Sequence, residues 1–295
     1  MFKKLAIGLF VGVVILGAVA VCYAQEPRPS ESENAAAAQD TRAAVMPTEA
    51  AAVAGGTDVG VVRDHNEDSY GIFREQGVYL VADGMGGHAA GEVASALAVE
   101  RIGSYVRSPF LQVFRKAWPE MAILWLEEAY RDAHRTIFQQ SIREPSQRGM
   151  GTTAVSILTT PKGVWIVNLG DSRAYRVRGN GIEQLSHDHS LVQELIDAGE
   201  LRTPEEIARF PYKNIITRVM GTESNSMSDT YYDRPESGDI YVLCSDGLTN
   251  EVAEERMVEI IRKHGDNLDA AVAELIEQAR QHGGRDNITV ILIKM

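Results

Sequence analysis

Short apolar runs that meet an Asp-Gly or Gly-Asp step constrain this chain more than any other feature. Val78-Tyr79-Leu80-Val81-Ala82 runs into Asp83-Gly84-Met85-Gly86-Gly87-His88. Val164–Leu169 runs into Gly170-Asp171-Ser172-Arg173, and Ile240–Cys244 into Ser245-Asp246-Gly247. Gly284-Arg285-Asp286-Asn287 stands in front of another such run, and Asn66-Glu67-Asp68 precedes them all. Apolar runs of this length suit buried strands. One Asp-Gly step is foremost a turn. Several of them at strand ends suggest one shared cation centre, because glycine lets the backbone approach an ion and carboxylates supply oxygen ligands. The clusters hold no cysteine ligand and no paired histidines, which favours Mg²⁺ or Mn²⁺ over zinc or copper.

The remaining pattern predicts α+β layers and not regular βαβ repeats. Helices are expected over Ala89–Val106, Ala117–Ser141, Leu191–Ala198, Glu254–Lys263 and Leu268–Gln281, and strands over Val78–Ala82, Thr153–Leu158, Val164–Leu169, Ala174–Val177, Ile240–Cys244 and Ile288–Ile293. Gly199–Thr222 reads as a semi-irregular insertion. Met121, Leu124, Trp125 and Ile137 fall at helical spacing and read as core packing. No internal repeat is visible.

The N-terminus has a different character. Lys3 and Lys4 precede an apolar run from Leu5 to about Val21, followed by Cys22-Tyr23-Ala24. Residues 1–24 therefore read as a signal peptide cut after Ala24 or as a retained single-pass membrane anchor. With the lysines held inside, the bulk of the chain faces the non-cytoplasmic side, either exported or anchored. Residues 25–56 are rich in Ala, Glu, Ser and Pro and read as a disordered linker. The globular domain is expected over 57–295. A net charge of −12 argues against nucleic acid, which rewards a basic face. Cys22 and Cys244 are the only cysteines, too few for a disulfide framework or a cysteine zinc site.

Six motifs occur in family-like order: Val62-Arg63-Asp64-His65-Asn66-Glu67-Asp68-Ser69, Ala82-Asp83-Gly84-Met85-Gly86-Gly87-His88, Gly149-Met150-Gly151-Thr152-Thr153, Gly170-Asp171-Ser172-Arg173, Ser245-Asp246-Gly247-Leu248 and Gly284-Arg285-Asp286-Asn287-Ile288-Thr289. Together they resemble the bacterial metal-dependent protein phosphatases, the PPM or type 2C family, over essentially the whole globular part. The resemblance implies a four-layer α-β-β-α sandwich around a central pair of mainly antiparallel sheets. It implies two Mn²⁺ or Mg²⁺ ions, with a weaker third, and a bridging hydroxide that attacks phosphoserine or phosphothreonine. By matching positions, Asp83 bridges the ions, the Gly84 carbonyl binds one, and Asp246 and Asp286 hold the other. Glu67 and Asp68 occupy the place of a direct or water-mediated acidic ligand, and Asp171 that of a ligand to the third ion. Arg63 matches the phosphate-binding arginine, whose fork suits two phosphate oxygens.

His88 stands three residues beyond Met85, the place where eukaryotic members carry a histidine. It either donates a proton to the leaving alkoxide, directly or through water, or caps the next helix. Gly151, Thr152 and Thr153 read as shaping a core strand, Asp188 and His189 as loop-packing or ligand-orienting groups, and Asn287 as fixing the backbone beside Asp286. Cys244 has no arginine six positions on, where Asn250 stands, so it reads as a small buried strand residue. Gly199–Thr222 matches a flap over the site, with Phe210-Pro211-Tyr212-Lys213-Asn214 departing from the usual start. The expected partners are a phosphoprotein substrate and a cognate serine/threonine kinase, with the protein a monomer. Two other readings stand beside the protein phosphatase: a non-catalytic, metal-binding pseudophosphatase, and a phosphatase of another phosphomonoester.

Overall fold

Period-two alternation in a few strands sets the layers. A computed structural model describes residues 50–86, 89–222 and 227–295. Eleven strands are assigned among these residues: β1 (Ala52–Asp58), β2 (Asp68–Phe73), β3 (Val78–Met85), β4 (Gly151–Thr152), β5 (Ala154–Thr160), β6 (Gly163–Leu169), β7 (Arg173–Arg178), β8 (Gly181–Gln184), β9 (Asp229–Asp233), β10 (Ile240–Cys244) and β11 (Ile288–Lys294). The helices are α1 (Ala89–Val106), α2 (Pro109–Ala117), α3 (Pro119–Arg143), α4 (Leu191–Asp197), α5 (Pro204–Arg209), α6 (Asp246–Thr249), α7 (Glu254–His264) and α8 (Leu268–Gln281).

One sheet runs β1-β11-β10-β7-β8 and the other β2-β3-β5-β6-β9, with β4 beside β3. Every pairing between them is antiparallel. Tyr79, Val81, Val155, Ile157, Tyr241, Leu243, Ile291 and Ile293 face each other between the sheets. Their neighbours Val78, Leu80 and Ala82 turn outward onto α1, α2 and α3, in contact with Ala98, Leu111 and Tyr130. Val242, Cys244, Val290 and Leu292 turn outward on the other sheet, onto Met257, Ile261 and Leu275 of α7 and α8. The result is the expected α-β-β-α sandwich. Burying three such clusters is the main favourable term in its stability.

One boundary needs correction. The domain does not begin at residue 57 after a linker reaching to 56. Residues 52–58 form β1, fully paired with β11 from Ala52 opposite Lys294 to Asp58 opposite Ile288. Its sequence, Ala-Val-Ala-Gly-Gly-Thr-Asp, lacks the bulk that marks a strand. The glycines leave room for packed side chains: a Cβ on Gly55 would crowd Ile72 Cδ1 at 3.0 Å, and one on Gly56 would crowd Val272 Cγ1 at 3.0 Å. The edge strands β2, β8 and β9 and the helix α2 are further additions. The apolar run Leu5–Val21, the rest of the expected linker and His88 lie outside the described residues. Among the described residues no helix is long and apolar enough to cross a membrane.

Candidate active site

Strand ends bring the acidic clusters together at one end of the sandwich. Asp68 opens β2 directly opposite Asp83 on β3. Asp171 follows β6, Asp246 follows β10, and Asp286 precedes β11. Their charges act on one another: Asp68, Asp246, Asp171 and Asp286 all push the Asp83 carboxyl upward, after the larger effect of desolvation. Burial likewise raises Asp68 and Asp171, each to about 7, and raises Asp246. The Asp83 and Asp246 carboxyls lie within hydrogen-bonding reach of each other.

Three of the carboxylates keep one buried oxygen without a partner. Asp68 Oδ2 accepts from Ser245 Oγ and Thr289 Oγ1, both at 2.7 Å, which ties the two sheets together at the site. Its Oδ1 is buried with no hydrogen-bond partner. Asp246 Oδ2 accepts from Asn250 Nδ2 at 3.0 Å, while its Oδ1 is buried and unpartnered. Asp171 Oδ1 is in the same state. Leaving a buried acceptor unmade costs on the order of 1–3 kcal/mol. Three such oxygens from three loops, around a fourth carboxylate, are the donor set of a hard divalent cation. Among the described residues, however, no three acidic, histidine or cysteine side chains close into a finished metal-ligand group. Unscreened carboxylates repel one another, and Arg63 Nη2 already holds Asp286 Oδ2 at 2.8 Å.

The supporting residues act on the backbone. Asp83 is clamped by threonines: its carbonyl accepts from Thr152 Oγ1 (2.9 Å) and Thr153 N (2.8 Å), and its N–H donates to Thr153 Oγ1 (3.0 Å). The expected strand-shaping role of these threonines thus includes fixing the aspartate. Gly84 N donates to Glu67 O, and a Cβ there would sit 2.2 Å from Gly91 O. A Cβ on Gly247 would sit 2.0 Å from Asn287 O, so the loops after β10 and before β11 touch through backbone alone. Asn287 does more than fix its neighbour. Its Oδ1 accepts from Glu67 N (2.8 Å), and its Nδ2 donates to Val59 O (3.0 Å) and His65 O (2.9 Å). Glu67 is buried, and its carboxylate lies against Gly91 of α1, which itself abuts Gly84 beside Asp83. Ser245 and Thr289 carry no ligand signal of their own in the sequence. Their only mark is a place beside Asp246 and Asp286, on strands whose side chains at those positions face the other sheet.

Two residues fall into packing roles. Arg173 makes three bonds to Asp188, the shortest 2.6 Å. His189 Nδ1 accepts from Gly170 N at 3.0 Å while Nε2 meets Asp229 Oδ2, and burial lowers its pKa. Cys244 is wholly buried, and desolvation pushes its thiol up to about 12, so it is no nucleophile at neutral pH.

Beside the carboxylates lies a cleft of about 270 Å³. Asp171 and Asp246 form its floor, Val192 and Ile196 of α4 one wall, and Ile207, Lys213 and Asn214 the other. The 199–222 segment is tied down toward its C-terminal end, where Ile216 bridges to Ser190 and Met220 to Thr152. Earlier in it α5 carries a capping box, Thr203 with Glu206.

Comparison with known proteins agrees with this arrangement. A family model described as protein phosphatase 2C matches residues 56–289. The serine/threonine phosphatase stp of Listeria monocytogenes is 39% identical over 249 residues, covering 81% of this chain and 93% of that one. The serine/threonine phosphatase of S. agalactiae has a solved structure that superposes with a TM-score of 0.76 at 33% identity, over 83% of this chain and 99% of the other. The catalytic domain of the phosphatase PstP, solved in complex with two manganese ions, gives 0.71 at 33% identity, over 82% and 97%.

Proposed function

The chain belongs to the protein phosphatase 2C family and is a serine/threonine protein phosphatase, and from that premise we propose how its own residues carry the reaction. The substrate is a phosphoserine or phosphothreonine side chain of a protein, dephosphorylated at a centre of two Mn²⁺ or Mg²⁺ ions. Asp83 and the Gly84 carbonyl would hold one ion, Asp83 with Asp246 and Asp286 the other, Asp171 would serve a weaker third, and Asp68 and Glu67 would bind directly or through water. When bound, such a pair supplies an activated water and neutralises the charge of an in-line displacement.

The observation that carries this reading is the set of buried, unpartnered oxygens on Asp68, Asp171 and Asp246 around Asp83. An oxygen-only donor set with several negative charges matches those ions. It also argues against a non-catalytic scaffold, since every aspartate of the set is in place. Arg63 is half exposed and grips Asp286 with one nitrogen of its fork. The rest of the guanidinium is open to a phosphate, which it orients with two parallel bonds. The phosphopeptide lies in the cleft between α4 and Lys213. His88 is assigned the proton that the leaving alkoxide needs. On the same footing the domain acts outside the cytoplasm, exported or anchored by residues 1–24, as a monomer, on proteins modified by a serine/threonine kinase.

The test is turnover of a phosphothreonine peptide by the purified protein. We expect activity with Mn²⁺ that is abolished by EDTA and by Asp83→Asn. Equal turnover with and without the chelator would overturn the proposal.

A further inference from the structure

Residues 101–119 stand apart from the rest of the chain. In a protein of net charge −12, this stretch carries Arg101, Arg107, Arg115 and Lys116 and no acidic residue. It includes α2, which divides sharply. Leu111 and Arg115 are buried, and Arg115 Nε donates to Thr159 O at 2.6 Å. The opposite face leaves Phe110 58% and Val113 54% exposed, and Trp118, which follows the helix in a non-helical conformation, is 55% exposed. Behind them Phe110, Phe114, Trp125 and Tyr105 form a continuous aromatic cluster, with ring centroids 5.6–6.4 Å apart. Phe110 is therefore braced from below. Arg107, just before α2 and stacked over the Phe73 ring at 4.8 Å, and Lys116, in its last turn, make no ion pair with any described residue, while Glu120 is held by Lys162 Nζ at 2.6 Å.

The position of this face in the fold is the second observation. Asp58 is the end of β1 nearest the acidic cluster, so Ala52 marks the far end. Asp83 is likewise the site end of β3, and Val78 its far end. α2 sits at that far end: Gln112 Nε2 donates to Glu75 O (3.1 Å), Thr159 N donates to Gly77 O (2.8 Å), and Arg74 bonds the Val53 carbonyl. The point where the chain leaves the domain toward its N-terminus and the exposed aromatic face thus share one end, opposite the active site. Only 28 residues separate Val21, the end of the apolar run, from Ala50.

We propose that the Phe110–Trp118 face of α2 is a membrane-surface docking site. It seats the domain on a bilayer bearing anionic headgroups, with the acidic cleft turned away from the lipid. Phe and Trp at the headgroup boundary flanked by Arg and Lys are the chemistry of an interfacial helix. This rests on the proposed reading in which residues 1–24 are retained as an anchor: the tether then raises the local concentration of lipid, so a small apolar face suffices where a free protein would need a larger one.

The experiment incorporates the full chain into phosphatidylcholine vesicles, with and without phosphatidylglycerol, whose acyl chains are brominated near the headgroup. Tryptophan fluorescence is then read. Trp118 is expected to be quenched, more strongly with the anionic lipid and less at high salt. Trp118→Phe should remove most of the quenching. Phe110→Glu and Val113→Glu should each lower it several-fold while leaving turnover of a small aryl phosphate unchanged, which also shows that they fold. Quenching equal in wild type and Trp118→Phe overturns the proposal, as does failure of the full chain to associate with the vesicles. A face used by a protein partner or a second copy would leave Trp118 unquenched at every lipid composition, and that result overturns it too.

Discussion

Replacing Asp68 by asparagine should make the metal-free protein more stable and the enzyme worse. Asp68 is buried, and desolvation together with Asp246 and Asp286 raises its pKa from 3.8 to about 7, against the lowering effect of bonds from Thr289 and Ser245. A carboxyl with a raised folded-state value binds its proton more tightly when folded. Its contribution to stability is therefore present below pH ~4 and is lost as pH rises toward 7. Three pKa steps at about 1.4 kcal/mol each amount to about 4 kcal/mol as an upper figure. An asparagine keeps the acceptor for Ser245 and Thr289, and turns an N–H toward Asp83 and Asp246 in place of the unpartnered oxygen.

Urea unfolding in EDTA is the assay. At pH 8, Asp68→Asn should exceed wild type by about 2–4 kcal/mol, and near pH 4 the two should converge. Adding Mn²⁺ should narrow the difference, because wild type gains about 2.7 kcal/mol at a hundred times the dissociation constant and the variant gains less. A metal-free variant that is less stable than wild type at pH 8, or a difference that is the same at both pH values, would refute the electrostatic reading of the site.

Other outcomes follow from the same geometry. Asn287→Ala removes three buried side-chain bonds and should cost about 3 kcal/mol in urea unfolding even in EDTA; a loss confined to the metal-loaded protein would contradict its structural role. Arg63→Ala should lower kcat/KM for a phosphopeptide by about ten- to a hundredfold, with Mn²⁺ affinity by calorimetry nearly unchanged. Loss of Mn²⁺ binding instead would place Arg63 with the metal and not the phosphate. His88→Gln should slow a phosphoserine peptide far more than an aryl phosphate, whose leaving group needs no proton. Equal slowing would assign His88 to helix capping.

The sequence shows most clearly what is repeated in it. Strands such as Ile240–Cys244, the helices Ala89–Val106 and Leu268–Gln281, and the aspartates that follow the strands all carry a local signal, whether apolar periodicity or Asp beside Gly. What it hides depends on partners distant in sequence. β1 is a strand because β11 pairs with it, not because Ala-Gly-Gly favours one. β9, Asp-Thr-Tyr-Tyr-Asp, has acids at both ends, and Asp233 is satisfied only by the Tyr241 hydroxyl at 2.7 Å and by Arg176. The sheet-to-sheet link from Asp68 to Ser245 and Thr289 spans about two hundred residues, so no window along the chain reveals it. The N-terminal boundary is displaced for the same reason: small residues read as a linker when their packing partners are unknown.

The two ends of the sandwich carry different surfaces. At one end, carboxylates are held together against their mutual repulsion by backbone contacts that no side chain could occupy, at Gly84 and Gly247. The fold thus bears the cost of assembling a cation site before any cation arrives, which is what preorganisation requires of a catalytic centre. At the other end, Arg107 and Lys116 accompany exposed aromatic rings. A net charge of −12 spread evenly would push the whole domain away from an anionic surface. Concentrating acid at the site and excluding it from residues 101–119 instead gives the domain a direction, so that one end can face lipid while the other meets a phosphorylated chain.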